Sequence, residues 1–416
     1  MVADGIEIGV PGVVSVCPFS VFSVLTTMRC QAKTALFHCE EFCLRGMSLM
    51  ANSVAAFTGS AVPKLIAPPA AALPGPGEVR CKTLMLGICG TDRDILESTS
   101  PVCPDDSEFL VLGHECLACV EEVGAEVTEC EPGDLVVPAV RRPRQPENPN
   151  SGQIRRRVDM VPWGNYVERG IVAEHGFSLP VWIDRPEFLF PVSSEIKDVA
   201  VLAEPISVSE KAVREAEQIQ NARLDDEWQR RAPRVLVTGL GPIAFAAAIV
   251  CRARDWPVTM YGRDDPDSFR AGLVTNFDCN YVHEGAYSWT LADVEQDGFD
   301  LVLECTGNDF VMMQAASTLA SCGILVWEGS TRLPQPCQHN VAEIMRAGIL
   351  RNHIYLGTVN NAPVDMGRAL EHLVSLRPRY GSAIRQLVTR QVSVDESLWH
   401  YQSREPQGVK TVVIFD

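Results

Sequence analysis

Arg234-Val235-Leu236-Val237-Thr238-Gly239-Leu240-Gly241-Pro242-Ile243-Ala244 is the stretch whose reading decides the fold of this chain. Arg234 to Thr238 reads as a buried strand, and the apolar run from Ile243 through Val250 reads as a helix. Between them, Gly239 and Gly241 permit a tight turn and close backbone approach, while Ala244, a small residue at the third position, lets helix and strand pack. The free N–H groups and positive end of such a helix suit a pyrophosphate. Gly-x-Gly-x-x-Ala alone is weak evidence. Its place between strand and helix, with apolar strands following at Val258–Tyr261, Leu301–Leu303 and Ile324–Trp327, makes it strong. The expected unit is α/β: a Rossmann doubly wound parallel sheet that binds a dinucleotide.

The second strand of that unit ends at Tyr261-Gly262-Arg263-Asp264-Asp265. An acid at this tip would hold ribose hydroxyls; Gly262 followed by Arg263 instead suits a 2′-phosphate. Arg263 argues for NADP, and the neighbouring Asp264 and Asp265 argue against exclusive use of it. NADP, with NAD also accepted, is the expectation.

The chain has 416 residues, too many for one ordinary core, so two domains are expected. It carries 53 acidic against 36 basic side chains, a net charge of -17. Nucleic acid and an anionic membrane surface are therefore poor partners. The basic clusters Arg141-Arg142-Pro143-Arg144, Arg155-Arg156-Arg157 and Arg230-Arg231 read as solvated loop charges, with no aromatic residues interleaved. Fifteen cysteines, an odd number scattered singly, argue against a disulfide framework and for a reducing cytoplasm. Cys116 and Cys119 form a Cys-x-x-Cys, but they lie within an apolar strand-like run, Leu112 to Val123, and read as core residues.

Residues 1–49 differ in texture. The run Val13 to Leu25 is broken by Pro18 and serines, is too short to span a bilayer, and follows Asp4 and Glu7 rather than a basic segment. A non-native upstream extension or disordered tail is expected there, with a normal domain start at Met50.

Between that start and the nucleotide unit lies Gly87-Ile88-Cys89-Gly90-Thr91-Asp92, followed by Gly113-His114-Glu115. Thiol, imidazole and carboxylate are ligand types zinc prefers, and a catalytic site needs three of them with one position open. Taken singly, Cys89 and His114 read as packed core residues. Thr91 and Asp92 are expected to cap a helix over Arg93 to Leu96.

Those two motifs, followed by Pro132-Gly133-Asp134-Leu135-Val136-Val137-Pro138, resemble the zinc-dependent medium-chain alcohol/polyol dehydrogenases. Val140-Arg141-Arg142-Pro143, Glu168-Arg169-Gly170-Ile171 with His175-Gly176, and Glu204-Pro205-Ile206-Ser207-Val208-Ser209-Glu210-Lys211-Ala212 are similar to the glucose 1-dehydrogenase branch found in archaea. The resemblance runs from Met50 to Asp416. It implies a mainly β, GroES-like catalytic domain over residues 50–204 and 358–416, with the Rossmann domain over 205–357 between them. It implies one catalytic zinc on Cys89, His114 and Glu204, the last directly or through water, and Glu115 as a carboxylate that enters or leaves the coordination shell. Glu168 matches a residue that contacts sugar hydroxyls; without the family it reads as a surface charge. Glu304-Cys305-Thr306-Gly307 matches a segment near the cofactor, with Cys305 where relatives have Ala. Gly357-Thr358-Val359-Asn360 matches a segment whose Asn lies by nicotinamide and substrate. Thr91 and Asp92 are close enough in sequence to Cys89 to orient substrate or relay a proton.

There is one departure. Many relatives hold a structural zinc on four cysteines just after the Arg-Arg pair, whereas Arg141 to Trp163 contains none. The structural zinc is expected to be absent. The resemblance further implies oxidation of an aldose, glucose at C1, to the lactone by hydride transfer to NAD(P), in a homodimer or homotetramer. The alternatives are another polyol or amino-alcohol dehydrogenase, of the sorbitol or threonine type, and a non-catalytic NADP-binding protein on the same scaffold.

Overall fold

The structure, a computed structural model, describes residues 52–68, 72–144, 158–287, 289, 298–330 and 338–415. The expected N-terminal extension, the cluster Arg155-Arg156-Arg157 and most of the cysteine-free loop after Arg144 lie outside the described residues.

Six parallel strands form the sheet predicted from the Gly-x-Gly-x-x-Ala stretch. In spatial order they are Asn280–His283, Val258–Gly262, Val235–Thr238, Phe299–Glu304, Leu319–Trp327 and Ile354–Gly357. Numbered along the chain this order is 3-2-1-4-5-6, the doubly wound arrangement, with its switch point between Val235–Thr238 and Phe299–Glu304. Val235, Leu236 and Val237 are at most 1% exposed, as a central strand covered on both faces requires. The helix Pro242–Arg252 starts with Gly241 as N-cap and Pro242 in its first turn, and buries Phe245 through Arg252.

The second large sheet is mixed. Its strands run Leu189–Pro191, Leu135–Pro138, Glu115–Val123, Val79–Gly87, Lys410–Ile414 and Val388–Ser393, with Val181–Asp184 also paired to Val79–Gly87. The chain thus leaves this sheet near residue 191 and rejoins it from 388. Two three-stranded sheets flank it. One joins Lys64–Ile66, Ser53–Phe57 and Phe109–Val111; the other joins Arg141–Pro143, Tyr166–Arg169 and Ala173–Glu174. Cys116 is buried and Cys119 half-buried, and both carry free thiols.

Three expectations change, and a charged stretch proves to hold a short helix. The boundary placed between Glu204 and Pro205 falls inside one helix, Ala203–Arg223. Residues 358–386 do not rejoin the mixed sheet. Helices Pro363–Ser375 and Arg377–Gln386 pack instead on Ala203–Arg223 and Phe269–Asn276, burying Met366, Ala369, Leu373, Tyr380 and Ile384. The charged stretch Asp225 to Arg231 contains the short helix Glu227–Arg230, because Trp228 is buried edge-on against Trp256. Arg141 and Arg142 are not solvated: each is 6% exposed, paired respectively with Glu168 and Asp184. Partners 27 and 42 residues away cannot be read from a local charge cluster.

Candidate active site

The helix after the first glycine motif runs Gly90–Ser98, one turn earlier than expected, with Cys89 rather than Thr91 or Asp92 as its N-cap. Asp92, in its first turn, turns back so that Oδ2 accepts from the Cys89 N–H at 2.8 Å. Cys89 is thereby held, half-buried, at the junction of the Val79–Gly87 strand and this helix. Thr91 Oγ1 lies 3.7 Å from Cys89 Sγ.

The second motif approaches from the neighbouring strand. Gly113 adopts φ +93°, a region open to glycine, and a Cβ there would meet Leu86 Cδ2 at 2.5 Å. That turn delivers His114 and Glu115, 3% and 1% exposed, against Gly87 and Cys89. Donor atoms of Cys89, His114 and Glu115 lie within 4.8 Å of one another. Among the described residues this is the one group of three or more Cys, His, Asp or Glu with metal-ligand spacing. Glu204, in the first turn of Ala203–Arg223, is outside that group but close enough that its charge is felt by His114.

Electrostatics mark this as an unusual concentration of ionisable groups. Burial opposes a charge on His114, yet the Asp92 carboxylate and the Cys89 thiol reverse it and raise the imidazole well above its ordinary value. Burial also pushes Glu204 up to about 7, against the pull of His114 and with the push of Glu115. His114 Nδ1 has no hydrogen-bond partner among the described residues and sits 3.6 Å from Asp92 Oδ1. A buried thiol, imidazole and carboxylates with an orphaned ring nitrogen are expensive as a core, but form a suitable donor set for zinc. The residues fit the metal.

Asp92 itself is fully buried, bonded to the backbone N–H groups of Cys89 and Gly113. Its Oδ1 also stands 3.6 Å from His114 Nδ1. Glu168 is also not a surface charge. It lies in strand Tyr166–Arg169, 8% exposed, and its Oε1 accepts from Arg141 Nε at 2.8 Å. Lys410 was invisible in the sequence as part of this site. It comes from the last strand and donates to both oxygens of Glu115 at 2.6 Å; a lone lysine opening the apolar run Thr411 to Phe415 is the signal that could have found it.

The nucleotide cleft lies at the C-terminal strand ends. Gly239 has φ +99°, and the space where a Cβ of Gly241 would stand is open to 4 Å, leaving room for a pyrophosphate. Leu240 is buried and Ile243 half-buried, and Ala244 is fully buried. Glu304 does not face out. It accepts from Thr238 Oγ1 at 3.1 Å, Thr306 N at 2.8 Å, Gly307 N at 3.3 Å and the Thr306 hydroxyl, stapling the loop after its strand. Gly307 and Gly329 cross so closely that a Cβ on Gly329 would lie 2.3 Å from Gly307 N. At the tip of Val258–Gly262, Gly262 packs on Leu240 and Arg263 is exposed. Asp264 is engaged by Arg270 at 2.5 Å and by Gln407 Nε2 at 3.0 Å, while Asp265 stays exposed. Asn360, 8% exposed with φ +62°, follows the end of Ile354–Gly357.

Comparison with known proteins agrees with this geometry. Residues 197–415 match the glucose dehydrogenase C-terminus family, and residues 75–179 match the alcohol dehydrogenase GroES-like domain. Glucose 1-dehydrogenase 1 of Caldivirga maquilingensis is 34% identical over 340 residues, covering 82% of this chain and 92% of that protein. Glucose 1-dehydrogenase of Thermoproteus tenax is 34% identical over 325 residues, covering 77% and 87%. The solved structure of Haloferax mediterranei glucose dehydrogenase in complex with NADP, Zn and gluconolactone superposes with a TM-score of 0.75 at 26% identity, covering 88% of this chain and 99% of that one. With its metal-ligand cluster, its 3-2-1-4-5-6 sheet and these relatives together, the chain belongs to the glucose dehydrogenase branch of the zinc-dependent medium-chain dehydrogenases.

Proposed function

We propose that the protein oxidises glucose at C1 to the lactone, passing the hydride to NADP in a zinc-dependent reaction. The observation that carries this reading is the convergence of Cys89, His114 and Glu115 donor atoms within 4.8 Å. Cys89, His114 and Glu204 are assigned as the metal ligands, with Glu115 as a nearby carboxylate held back by Lys410. When bound, zinc supplies the Lewis acidity that lowers the pKa of the C1 hydroxyl, and NADP supplies the hydride acceptor.

The chain's own residues bind and orient. The Asp92 carboxylate, 3.6 Å from His114 Nδ1, is the electrostatic outer partner of that ligand. Thr91 Oγ1, beside Cys89, is the hydroxyl placed to take and pass a proton. Glu168 accepts hydrogen bonds from sugar hydroxyls in an orientation set by Arg141. Gly239, Leu240, Gly241, Pro242, Ile243 and Ala244 form the pyrophosphate turn, Gly262 and Arg263 receive the 2′-phosphate, and Thr306, Gly307 and Asn360 line the nicotinamide side. NAD is accepted as a second cofactor.

The catalytic part is taken as residues 52–202 with 388–415, and the nucleotide part as 203–386. A homodimer or homotetramer is supported by helix Val341–Arg351, which buries no residue and exposes Met345, Ile349 and Leu350 beside the open edge of strand Ile354–Gly357. A reducing cytoplasm is supported by ten free cysteines among the described residues. No helix among these residues is long and apolar enough to cross a membrane.

A parallel screen of aldoses, polyols and amino alcohols with NADP and NAD, on zinc-loaded protein of measured metal content, tests the reading. Glucose with NADP is expected to be the fastest pair. Turnover confined to a polyol or amino alcohol would replace the sugar assignment, and bound NADP without any turnover would point to a binding protein.

A further inference from the structure

Glu328 stands just past the strand Leu319–Trp327, at the C-terminal edge of the parallel sheet, and its backbone N–H donates to Glu304 O at 2.9 Å. Glu328 is half-buried, and its carboxyl turns to a neighbouring hydroxyl. Glu328 Oε2 lies 2.6 Å from Ser209 Oγ, and Ser209 Oγ lies 3.4 Å from Ile243 O in the first turn of Pro242–Arg252. Ser209 is five residues beyond Glu204 on the same helix, roughly 7–8 Å along its axis at about 1.5 Å per residue. The carboxyl therefore lies against the pyrophosphate-binding helix, at the end of the fifth strand, beside the helix that also carries Glu204. A dinucleotide with its pyrophosphate at Gly239–Gly241 lies across the switch point of such a sheet, so its second half runs along the C-terminal ends of strands four to six, where Glu328 stands.

The groups facing Glu328 among the described residues are the Glu304 carboxyl and Cys305 thiol at the neighbouring strand end and the Cys251 thiol from Pro242–Arg252. The Cys305 thiol is 4.0 Å from Glu328 Oε1. None is cationic. Burial, and then Glu304, push the Glu328 carboxyl up to about 8, against the Ser209 hydrogen bond. The hydrogen bonds accommodate both states. With a proton on Glu328, its O–H donates to Ser209 and Ser209 donates to Ile243 O; without it, the Ser209 hydroxyl turns to the carboxylate.

We propose that Glu328 reads the charge of the nicotinamide: it is protonated in the free protein and beside NADPH, and ionised beside the cationic ring of NADP+. This rests on the assignment of the cleft to NADP. The balance is simple. Protein with Glu328 as COOH takes up NADP+, becomes the complex with Glu328 as COO−, and releases one proton to solvent. Binding of NADPH, whose ring is neutral, releases none from this group. Free protein then holds more protons than the NADP+ complex, so NADP+ affinity rises with pH up to about 8 while NADPH affinity does not follow it. Glu328 is in this sense a positioning residue for the oxidised cofactor.

Calorimetric titration of NADP+ and of NADPH into the native protein and into Glu328→Gln, near neutral pH in buffers of different ionisation enthalpy, counts these protons directly. The native protein is expected to release a proton fraction with NADP+ and not with NADPH. Glu328→Gln is expected to bind both, lose that release, and shift its preference toward NADPH by about tenfold, one pKa unit of coupling. Equal proton counts for the two dinucleotides on the native protein would overturn the inference whether or not the variant folds. So would a release that persists in Glu328→Gln. If neither dinucleotide binds the native protein, the cofactor assignment itself falls and takes the inference with it.

Discussion

Lys410 Nζ lies 2.6 Å from each carboxylate oxygen of Glu115, and both side chains are 1% exposed. The pair joins the last strand of the chain to the strand that carries His114. Replacing Lys410 by Met leaves a buried carboxylate without its cation, which costs about 3–5 kcal/mol in stability. Urea unfolding of Lys410→Met against the native protein measures it, and Lys410→Arg is expected to retain part of the difference.

Cys89→Ala removes the thiolate from the donor cluster. Zinc content after dialysis is expected to fall to background and turnover by at least about a thousandfold, while NADP binding, carried by the strand ends around Gly239, is unchanged. Metal analysis and dinucleotide fluorescence on the same sample check both halves.

Gly87→Ala places a methyl group 2.1 Å from Glu115 Oε2, a contact real structures do not tolerate. Either Glu115 leaves Lys410 or the strand shifts. A loss of about 2–4 kcal/mol and weakened zinc retention are expected, on the scale of overpacking a core with a displaced ion pair. Thermal unfolding and metal retention of the folded variant test it.

Arg263→Ala is expected to raise the KM for NADP by about tenfold to a hundredfold, 1–3 kcal/mol of lost phosphate contact, with little change for NAD. Arg270→Ala should move NADP in the same direction for a different reason: it strips Asp264 of its guanidinium, returning a bare carboxylate to the neighbourhood of the 2′-phosphate. Paired KM measurements for the two dinucleotides separate these from general damage.

Glu210 links helices through Arg254, Arg368 and His372. Burial works against its charge, but His372 and Arg254 bring its carboxyl down to about 2. A depressed acid gives stability that is fully present above its unfolded value, about 4.3, and is lost as pH falls toward 2. The loss is up to about 3 kcal/mol. Chemical unfolding across acid pH is expected to show this slope in the native protein and a shallower one in Glu210→Gln.

The sequence showed the parallel sheet wherever apolar runs marked a central strand, and hid it at the margins. Asn280–His283 and Ile354–Gly357 are edge strands of four residues, half-buried or exposed, so they carry no hydrophobic run to detect. Arg377–Gln386 was missed because its buried face is only Tyr380, Gly381, Ala383 and Ile384, set among arginines. At the site, Cys89, His114 and Glu115 stood in two short motifs and could be found. Lys410, Arg141 and Glu328 depend on pairings across 295, 27 and 119 residues, which no local pattern encodes.

The crossing of Gly307 over Gly329 leaves no volume for a side chain at two of the strand ends, so the loops there have no freedom to vary. Arg263, at the tip of another strand, stands in open solvent. Change in cofactor preference can therefore accumulate at the Arg263 corner while the Gly307–Gly329 crossing stays fixed. A lineage, or an engineer, could exchange the phosphate-bearing dinucleotide for the plain one by rewriting residues 263 to 265 and Arg270, without retuning the chemistry a few strands away.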